Sequence, residues 1–333
     1  MNRPKLIPGL PRVWRGPGEL QIGSDPARAL LLRLPDPRCE RVLDLLDGSR
    51  SERLVLLRAA ELGVAAADCR ALLDTLRAAG LTLPAAALVP PALGADSQQR
   101  LTGEAAALAL ARVATPAQTL RRRFAARVVL AGRGRLGAAI AVALAQAGVG
   151  NVRPEVTGVV RRGELAGGPL RGADVGRPRR EAIIDALSRL APGTSHGVRR
   201  VAASLVIQLD HDEPVALVAA ALAGRRQPHL AVTIREGAAV VGPLVPAAGR
   251  PCLQCLDLHR RERDAGWPGS VSAAEEPCAV TTLLAATAYA TAEALAFLDG
   301  GAPETTGATA EITAPGRVRR RSWRPHPDCA CAR

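Results

Sequence analysis

Residues 128–137 read Val-Val-Leu-Ala-Gly-Arg-Gly-Arg-Leu-Gly, and this stretch decides the fold class. Its apolar start predicts a buried strand, and Leu136–Ala147 has the apolar spacing of a helix. Between them the glycines follow the G-x-G-x-x-G pattern, which makes a tight turn and lets a phosphate approach the backbone. A helix that begins here presents free N–H groups to an anion. We therefore predict that nucleotide phosphates bind at Gly132, Gly134 and Gly137; the alternative is a turn without a ligand.

Strand and helix patterns alternate on the C-terminal side of this glycine loop. A weak second strand over Val152–Val160 is interrupted by Pro154, a helix follows over Arg177–Leu190, and a third strand covers Leu205–Leu209. Such alternation predicts an α/β domain with a Rossmann-like, mostly parallel sheet covered on both faces. A nicotinamide enzyme would place an acid about 20 residues after the glycines. Glu155 has that spacing, but no catalytic His or Tyr group accompanies it.

Two cysteine pairs stand far apart in the sequence. Cys252 and Cys255 form a C-x-x-C motif, and Cys329 and Cys331 form a C-x-C motif. Two segments that each give two thiolates suit a tetrahedral zinc ion. We predict structural zinc at these four cysteines, with His326 as a substitute ligand. A redox C-x-x-C is the competing interpretation, but that motif normally begins a helix, and here it follows a predicted hairpin.

The other three cysteines lie outside these motifs. Cys39 and Cys69 fall in predicted helices and are expected to be buried. Cys278 precedes a long apolar helix, whose N-terminus would lower the pKa of a thiol. It is either a nucleophile or a small packed residue, and the second reading is favoured.

Composition limits the classes of partner. The 333 residues carry a formal net charge of +13, but Lys5 is the only lysine and the arginines are dispersed. Three Trp, two Phe and one Tyr are too few for a base-stacking platform, so we predict no nucleic-acid partner. The longest apolar run, Leu283–Leu298, contains Glu293 and predicts a buried helix rather than a membrane span. The N-terminal residues lack the apolar core of a secretory signal, and we expect a cytoplasmic protein.

The sequence divides into three regions. Residues 1–84 predict a hairpin, three helices and a returning strand, which is a winged-helix-like module. Residues 85–122 are rich in Ala and Pro and predict a linker with one helix over Gly103–Val113. Residues 123–333 form the α/β domain with the cysteine pairs.

The C-terminal region resembles the ThiF/MoeB branch of the ubiquitin-activating superfamily. The glycine loop and Ala147-Gly148-Val149-Gly150 are similar to the start of its nucleotide-binding fold. Residues 173–179, Ala-Asp-Val-Gly-Arg-Pro-Arg, are similar to its "DVGRPK" segment, and both cysteine pairs stand where the family holds zinc. The resemblance covers residues 123–333. It implies ATP-dependent adenylation of a carboxylate, with Mg²⁺ held by Asp210, and a homodimer.

Several residues of the ATP site depart from the family pattern. Arg179 stands where the family has lysine, which keeps the charge but changes its shape. Val156 stands where an acid is expected after the second strand, and the family's following arginine segment has only Arg161-Arg162-Gly163-Glu164 as a loose counterpart. The resemblance therefore implies a degenerate ATP site, with Asp210 and Arg179 as its remaining catalytic candidates.

Residues 1–84 resemble the PqqD-like elements that bind leader peptides as an added strand. Together with the C-terminal resemblance, they make the chain similar to ThiF-like proteins that partner YcaO cyclodehydratases in azoline-peptide pathways. The favoured interpretation is a protein that binds the leader of a precursor peptide. The alternatives are an active adenylyltransferase acting on a sulfur-carrier or peptide carboxylate, and a winged-helix DNA regulator.

Overall fold

A computed structural model of the chain describes residues 3–112, 115–197, 202–269 and 276–332. The chain divides into two compact units, Met1–Arg121 and Arg122–Arg333. Each unit has its own cluster of buried apolar residues.

The first unit begins with four short strands, which helices and one further strand follow. Its elements are β1 (Pro4–Leu6), β2 (Arg12–Gly16), β3 (Glu19–Ile22), β4 (Leu30–Arg33), a 3-10 helix (Pro37–Leu45), α1 (Glu52–Glu61), α2 (Ala66–Ala78), β5 (Thr82–Pro84), α3 (Ala85–Leu88), α4 (Ala95–Arg100), α5 (Thr102–Leu110) and α6 (Pro116–Ala125), the last crossing the unit boundary. β1 pairs with β5, and β2, β3 and β4 form an antiparallel sheet in that order. Ser51 caps α1 by accepting a hydrogen bond from the Leu54 backbone N–H.

One face of the three-stranded sheet forms the core of this unit. Leu20, Ile22 and Leu32 are almost fully buried, together with Leu73 and Leu76 of α2. Strand side chains alternate between faces, so the neighbours of these buried residues point away from the core. The unit is thus a small α/β body built on one sheet face.

The segment predicted as a linker with a single helix contains several. Residues 85–122 include α3, α4, α5 and the start of α6, and Leu88, Leu101 and Leu120 are buried within one cluster there. The prediction underestimated alanine, which is the best helix former. The prolines punctuate the helices, and Pro116 occupies the first turn of α6, where a missing N–H costs nothing.

The second unit alternates strands and helices and then continues into hairpins. Its elements are β6 (Arg127–Gly132), α7 (Leu136–Gln146), β7 (Asn151–Val156), α8 (Arg179–Leu190), β8 (Leu205–Gln208), α9 (Val215–Gly224), β9 (His229–Arg235), β10 (Ala238–Val245), α10 (Leu253–Arg263), α11 (Val280–Leu298), β11 (Ala308–Ala314) and β12 (Arg317–Ser322). Short 3-10 turns cover Arg162–Leu165, Gly172–Asp174 and Ala330–Ala332.

The seven-stranded sheet is mixed rather than mostly parallel. Its order is β12-β11-β10-β9-β8-β6-β7. β7, β6, β8 and β9 are parallel, while β10, β11 and β12 pair antiparallel with their neighbours. The prediction of a parallel sheet is correct only for β6, β7, β8 and β9, which are joined by crossover helices. Hairpin connections at Glu236-Gly237 and Pro315-Gly316 make β9–β10 and β11–β12 antiparallel, and β11 returns antiparallel to β10 after α10 and α11.

Pro154 is compatible with a strand because of its place in the sheet. β7 pairs with β6 on one side and lies at the end of the strand order. A proline, which has no N–H to donate, is tolerated in an edge strand.

α11 is long and apolar enough to cross a membrane by length and composition alone. In the structure it packs against α7, β10 and β11. Its Glu293 is buried and accepts hydrogen bonds from the Thr305 backbone N–H at 2.7 Å and from the Thr305 hydroxyl. These contacts are those of a core helix.

Candidate functional site

The glycine loop joins the C-terminal end of β6 to α7. Gly132 has φ +102°, and a Cβ there would collide with the backbone oxygen of Asp210, the second residue after β8. The Arg133 N–H donates to that same oxygen at 2.8 Å. A Cβ on Gly137 would lie 2.8 Å from Leu209 Cδ1. The first and third glycines therefore allow the loop and α7 to lie against the end of β8.

The middle glycine faces a carboxylate of the chain itself. Gly134 has φ +123°, and a Cβ there would lie 2.8 Å from Oε1 of Glu276. Oε2 of Glu276 accepts a hydrogen bond from the Arg135 backbone N–H at 2.7 Å, directly before α7 begins. The Arg135 guanidinium in turn donates to the backbone oxygens of Glu276 and Gly163. Glu276 thus lies at the place where the loop would meet a phosphate.

The surroundings of Glu276 disfavour its charge. Burial raises the pKa of this carboxyl most strongly, and the nearby charges of Asp210 and Glu164 raise it further. The Arg135 N–H opposes this shift by stabilising the carboxylate.

Asp210, the predicted Mg²⁺ residue, lies beside the glycine loop. Its side chain is largely buried and lines a cleft with Gly132, Arg133 and Asp212. Arg133 forms an ion pair with Asp212 at 2.6 Å. The carboxyl ends of β6 and β8 thus bring the glycine loop and Asp210 together, as expected for parallel neighbours in an open sheet.

Arg179, the other catalytic candidate, makes its hydrogen bonds within the protein. Its guanidinium donates twice to the Glu164 carboxylate, at 2.9 and 2.7 Å, and both side chains are more than 90 % buried. It also donates to the backbone oxygens of Thr157 and Val159. The guanidinium therefore joins the segment after β7 to the start of α8. Little of its donor capacity faces the cleft.

Two clefts flank the loop, with volumes of about 860 and 850 Å³. The first is lined by Gly134, Arg161, Arg179 and Glu276, and the second by Gly132, Asp210 and residues of α9. Arg133 and Thr157 line both. Clefts of this size are typical of small-molecule sites.

The four cysteines of the two motifs meet in one cluster. Cys252 Sγ lies 3.9 Å from Cys255 Sγ and 3.6 Å from Cys329 Sγ, and Cys255 Sγ lies 3.2 Å from Cys331 Sγ. All four sulfurs lie within 4.8 Å of one another. Four thiolates about 2.3 Å from a tetrahedral zinc ion stand roughly 3.8 Å apart. The cluster therefore has the donor atoms and the spacing to hold such an ion.

The expected position of the C-x-x-C motif was wrong. Cys252 is the N-cap of α10, so the motif does begin a helix. Cys329 and Cys331 nevertheless contact Cys252 and Cys255. Because a redox pair needs only two thiols, a cluster of four favours the metal site. Burial opposes the charge on Cys255, but the His326 backbone N–H and the other thiols outweigh it and lower the Cys255 pKa, whereas burial raises that of Cys252 to about 11.

His326, the predicted substitute ligand, supports the cluster from outside. Its backbone N–H donates to Cys255 Sγ at 3.3 Å, and its Nε2 lies 2.8 Å from Glu262 Oε1. His259, Glu262 and His326 bring their ligand atoms within 4.8 Å of one another. However, Nδ1 of His326 accepts the Asp328 N–H at 3.1 Å, which leaves the proton on Nε2. The trio therefore places the Glu262 carboxylate of α10 beside the imidazole of the tail.

The remaining cysteines are packed residues. Cys39 and Cys69 are almost fully buried in the first unit. Cys278 donates weakly to the Gly237 oxygen at 3.5 Å, and burial raises the pKa of its thiol. This shift is opposite to the one that a nucleophile requires.

Two acids of the cleft were not identified from the sequence, Glu164 and Glu276, whose carboxylates bind the Arg179 guanidinium and the Arg135 N–H. Glu164 was noted only as part of a loose counterpart to an arginine segment. Glu276 lies 139 positions from the last glycine of the loop, in a stretch with no recognisable motif. A lone acid carries no sequence signal of the charge it will meet.

No protein-family model matches the chain, and no curated protein matches it. Solved structures do. E. coli MccB solved with ATP is 15 % identical, with a TM-score of 0.63 over 98 % of this chain and 99 % of that one. The microcin C7 biosynthetic enzyme MccB with N-formylated MccA is 14 % identical, with a TM-score of 0.63 over 99 % of both chains. PaaA is 14 % identical, with a TM-score of 0.63 over 95 % of this chain and 98 % of its own. The chain therefore has the fold of MccB and PaaA.

Proposed function

We propose that this chain binds the leader segment of a ribosomally made precursor peptide and presents it to a YcaO-type maturation enzyme, through a ThiF-type scaffold whose ATP site is degenerate. The observation that carries the proposal is the three-stranded sheet of the first unit. Within the part of the chain that the structure describes, β2 and β4 each pair with β3 alone. Either strand can accept an additional strand through its backbone.

The outer face of this sheet carries apolar side chains. Val13, Gln21 and Leu31 are opposite one another across the three strands. Val13 is 48 % and Leu31 46 % exposed. An edge strand with exposed apolar side chains is a liability unless a partner covers it. An extended peptide that pairs with β4 would gain backbone hydrogen bonds and cover Leu31, in the manner of a PqqD-like module.

The comparisons support a peptide partner. MccB has been solved with MccA as well as with ATP. Since those chains share this fold over nearly their whole length, a precursor peptide is the partner class that we carry over to this protein.

The residues of the cleft do not fit a nucleotide as they stand. A carboxylate fills the position where the glycine loop would meet a phosphate, and the Arg179 guanidinium is bound to Glu164. We therefore assign the second unit a scaffold role. Zinc at the four cysteines would fix its tail to α10. We also propose a homodimer in the cytoplasm, where thiols stay reduced.

Adenylation of a peptide or sulfur-carrier carboxylate is the second candidate. It is favoured by Asp210, which lies next to Gly132 on the edge of an 850 Å³ cleft. Pyrophosphate exchange with ATP in the presence of the peptide separates the two. Exchange that Asp210→Ala abolishes would establish the second candidate.

The test of the first candidate is titration of the full chain with the precursor peptide encoded beside its gene. We expect a Kd in the micromolar range or below. Leu31→Asp should weaken binding at least tenfold, because it places a charge at the pairing edge. Leu57→Asp is the matched control, since Leu57 is 55 % exposed on α1 and outside the sheet. No binding at high micromolar peptide, or equal loss in both variants, would reject the proposal.

A further inference from the structure

We propose that Glu276 is a built-in anion that occupies the phosphate position of the glycine loop and excludes nucleotides from it. The inference deepens the proposed function, because it identifies the group that makes the site degenerate. It rests on the contacts of one side chain and on the shape of the loop that receives it.

The first observation concerns the helix start. The Arg135 N–H lies immediately before α7, at the positive end of its dipole, where an anion is stabilised. Glu276 Oε2 accepts this N–H at 2.7 Å. A nucleotide phosphate at the same place would have to take this donor from Glu276.

The second observation concerns Gly134. The absence of a side chain there normally lets a phosphate approach the backbone. In this chain the space above Gly134 is taken by Glu276, whose Oε1 and Oε2 lie 2.8 and 3.3 Å from the position of a Cβ. The loop therefore keeps its open shape and uses it for a carboxylate.

The third observation is that Glu276 is held in place. Arg135 NH1 donates to the Glu276 backbone oxygen at 2.9 Å, and Arg135 NH2 donates to the Gly163 oxygen at 2.8 Å. Arg135 thus holds Glu276 in place through both its guanidinium and its backbone N–H. The Arg135 guanidinium lines the cleft, but NH1 and NH2 already donate to backbone oxygens of the chain.

Charge makes the exclusion stronger. A triphosphate entering the cleft of Glu276 would meet its carboxylate, with Asp212 and Glu164 also in the lining. Among the cationic residues of that lining, Arg179 and Arg133 are already paired with Glu164 and Asp212. A polyanion would therefore meet three carboxylates, while two of the four arginines in the lining, Arg133 and Arg179, already pair with two of them.

The experiment measures ATP binding to the full chain by titration calorimetry, for wild type, Glu276→Ala and Glu276→Gln. Glu276→Gln removes the charge but keeps the volume, and it serves if the alanine variant folds poorly. Glu61→Gln is the matched control, because it removes one exposed negative charge from α1, outside both clefts. We expect at least tenfold tighter ATP binding in both Glu276 variants and no change in the control.

One result would overturn the inference: Glu276 variants that bind ATP no more tightly than wild type. Peptide titration of the same proteins is read separately. Equal peptide affinity in wild type and variants is expected. Loss of peptide binding in all of them would reject the proposed function and leave the result for Glu276 intact.

Discussion

The cysteine cluster and the glycine loop are both sites predicted from short motifs, yet they differ in what the motif specifies. Thiolates define the ligand, because four sulfurs at tetrahedral spacing suit few partners other than a metal ion. The cluster assembles them at 3.2 to 3.9 Å along the measured pairs. Glycines define only the shape of the backbone. In this chain that shape holds Glu276. A motif of donor residues therefore predicts which side chains meet better than a motif that removes side chains.

The largest expected effect separates the two sites by their metal. Cys252→Ser with Cys255→Ser should reduce zinc from about one ion per chain to none, and lower the free energy of unfolding by more than about 4 kcal/mol, because metal binding to such sites contributes directly to folding. Elemental analysis and chemical denaturation measure both. Cys278→Ser is the control and should keep its zinc. A wild-type protein without stoichiometric zinc would contradict the comparison.

The next prediction tests whether Arg179 serves the fold or a ligand. Glu164→Gln or Arg179→Met alone should lower the free energy of unfolding by about 3–5 kcal/mol, since each leaves one charge buried without its partner. The double variant should recover part of the loss, which a double-mutant cycle in denaturant quantifies. Arg179→Met with unchanged stability would show that the guanidinium is not a structural tie.

Two glycine substitutions then sharpen the account of the loop. Gly132→Ala should cost about 3 kcal/mol, because its Cβ would meet a backbone oxygen that cannot move away. Gly134→Ala should cost about 1–2 kcal/mol, because φ is +123° there while its Cβ would meet only the movable end of the Glu276 side chain. Thermal unfolding measures both.

Combining each glycine substitution with Glu276→Ala tests the difference between the two positions. Glu276→Ala should relieve part of the Gly134→Ala penalty and none of the Gly132→Ala penalty. Equal relief at both positions would mean that Glu276 does not lie above Gly134.

The smallest effect is a pH dependence. Since the pKa of Glu276 is raised above its ordinary value of 4.5, the folded chain binds more protons than the unfolded chain between the two values. The contribution of this residue to stability is therefore fully present below pH 4.5 and decreases as pH rises through the folded pKa. The difference in stability between wild type and Glu276→Gln should follow this trend. A difference that is constant with pH would contradict the burial of the charge.

Local pattern was enough for the core of the second unit. Periodicity located β6, α7, β8 and α8 closely, because each is a strand or helix with a strong apolar pattern. The antiparallel half of the sheet was predicted less well, although Pro315-Gly316 is a typical turn signal between β11 and β12. Residues 85–122 were predicted to be a linker because a run of alanines shows no alternation of apolar and polar residues.

The candidate sites show the same limit. The meeting of Cys252 and Cys329 could be predicted because the chemistry of a metal requires it. The pairing of Arg179 with Glu164 could not, since any of several acids would satisfy an arginine. The role of Glu276 depends on a fold that brings a distant loop to α7, and no local pattern encodes it.

One ion at the cysteine cluster would also change the topology of the last part of the chain. Cys252 and Cys329 are 77 positions apart, and α11, β11 and β12 lie between them. With both ends bound to the ion, this stretch becomes a closed ring. If the ion acts like a covalent cross-link of similar span, the lower conformational entropy of the unfolded chain stabilises the fold by on the order of 4 kcal/mol. β12 is the outermost strand of the sheet and its arginines face solvent, so it is the natural place for fraying to begin. Fastened just beyond its end, it would open only when the ion is released, so a chelator should speed hydrogen exchange there first.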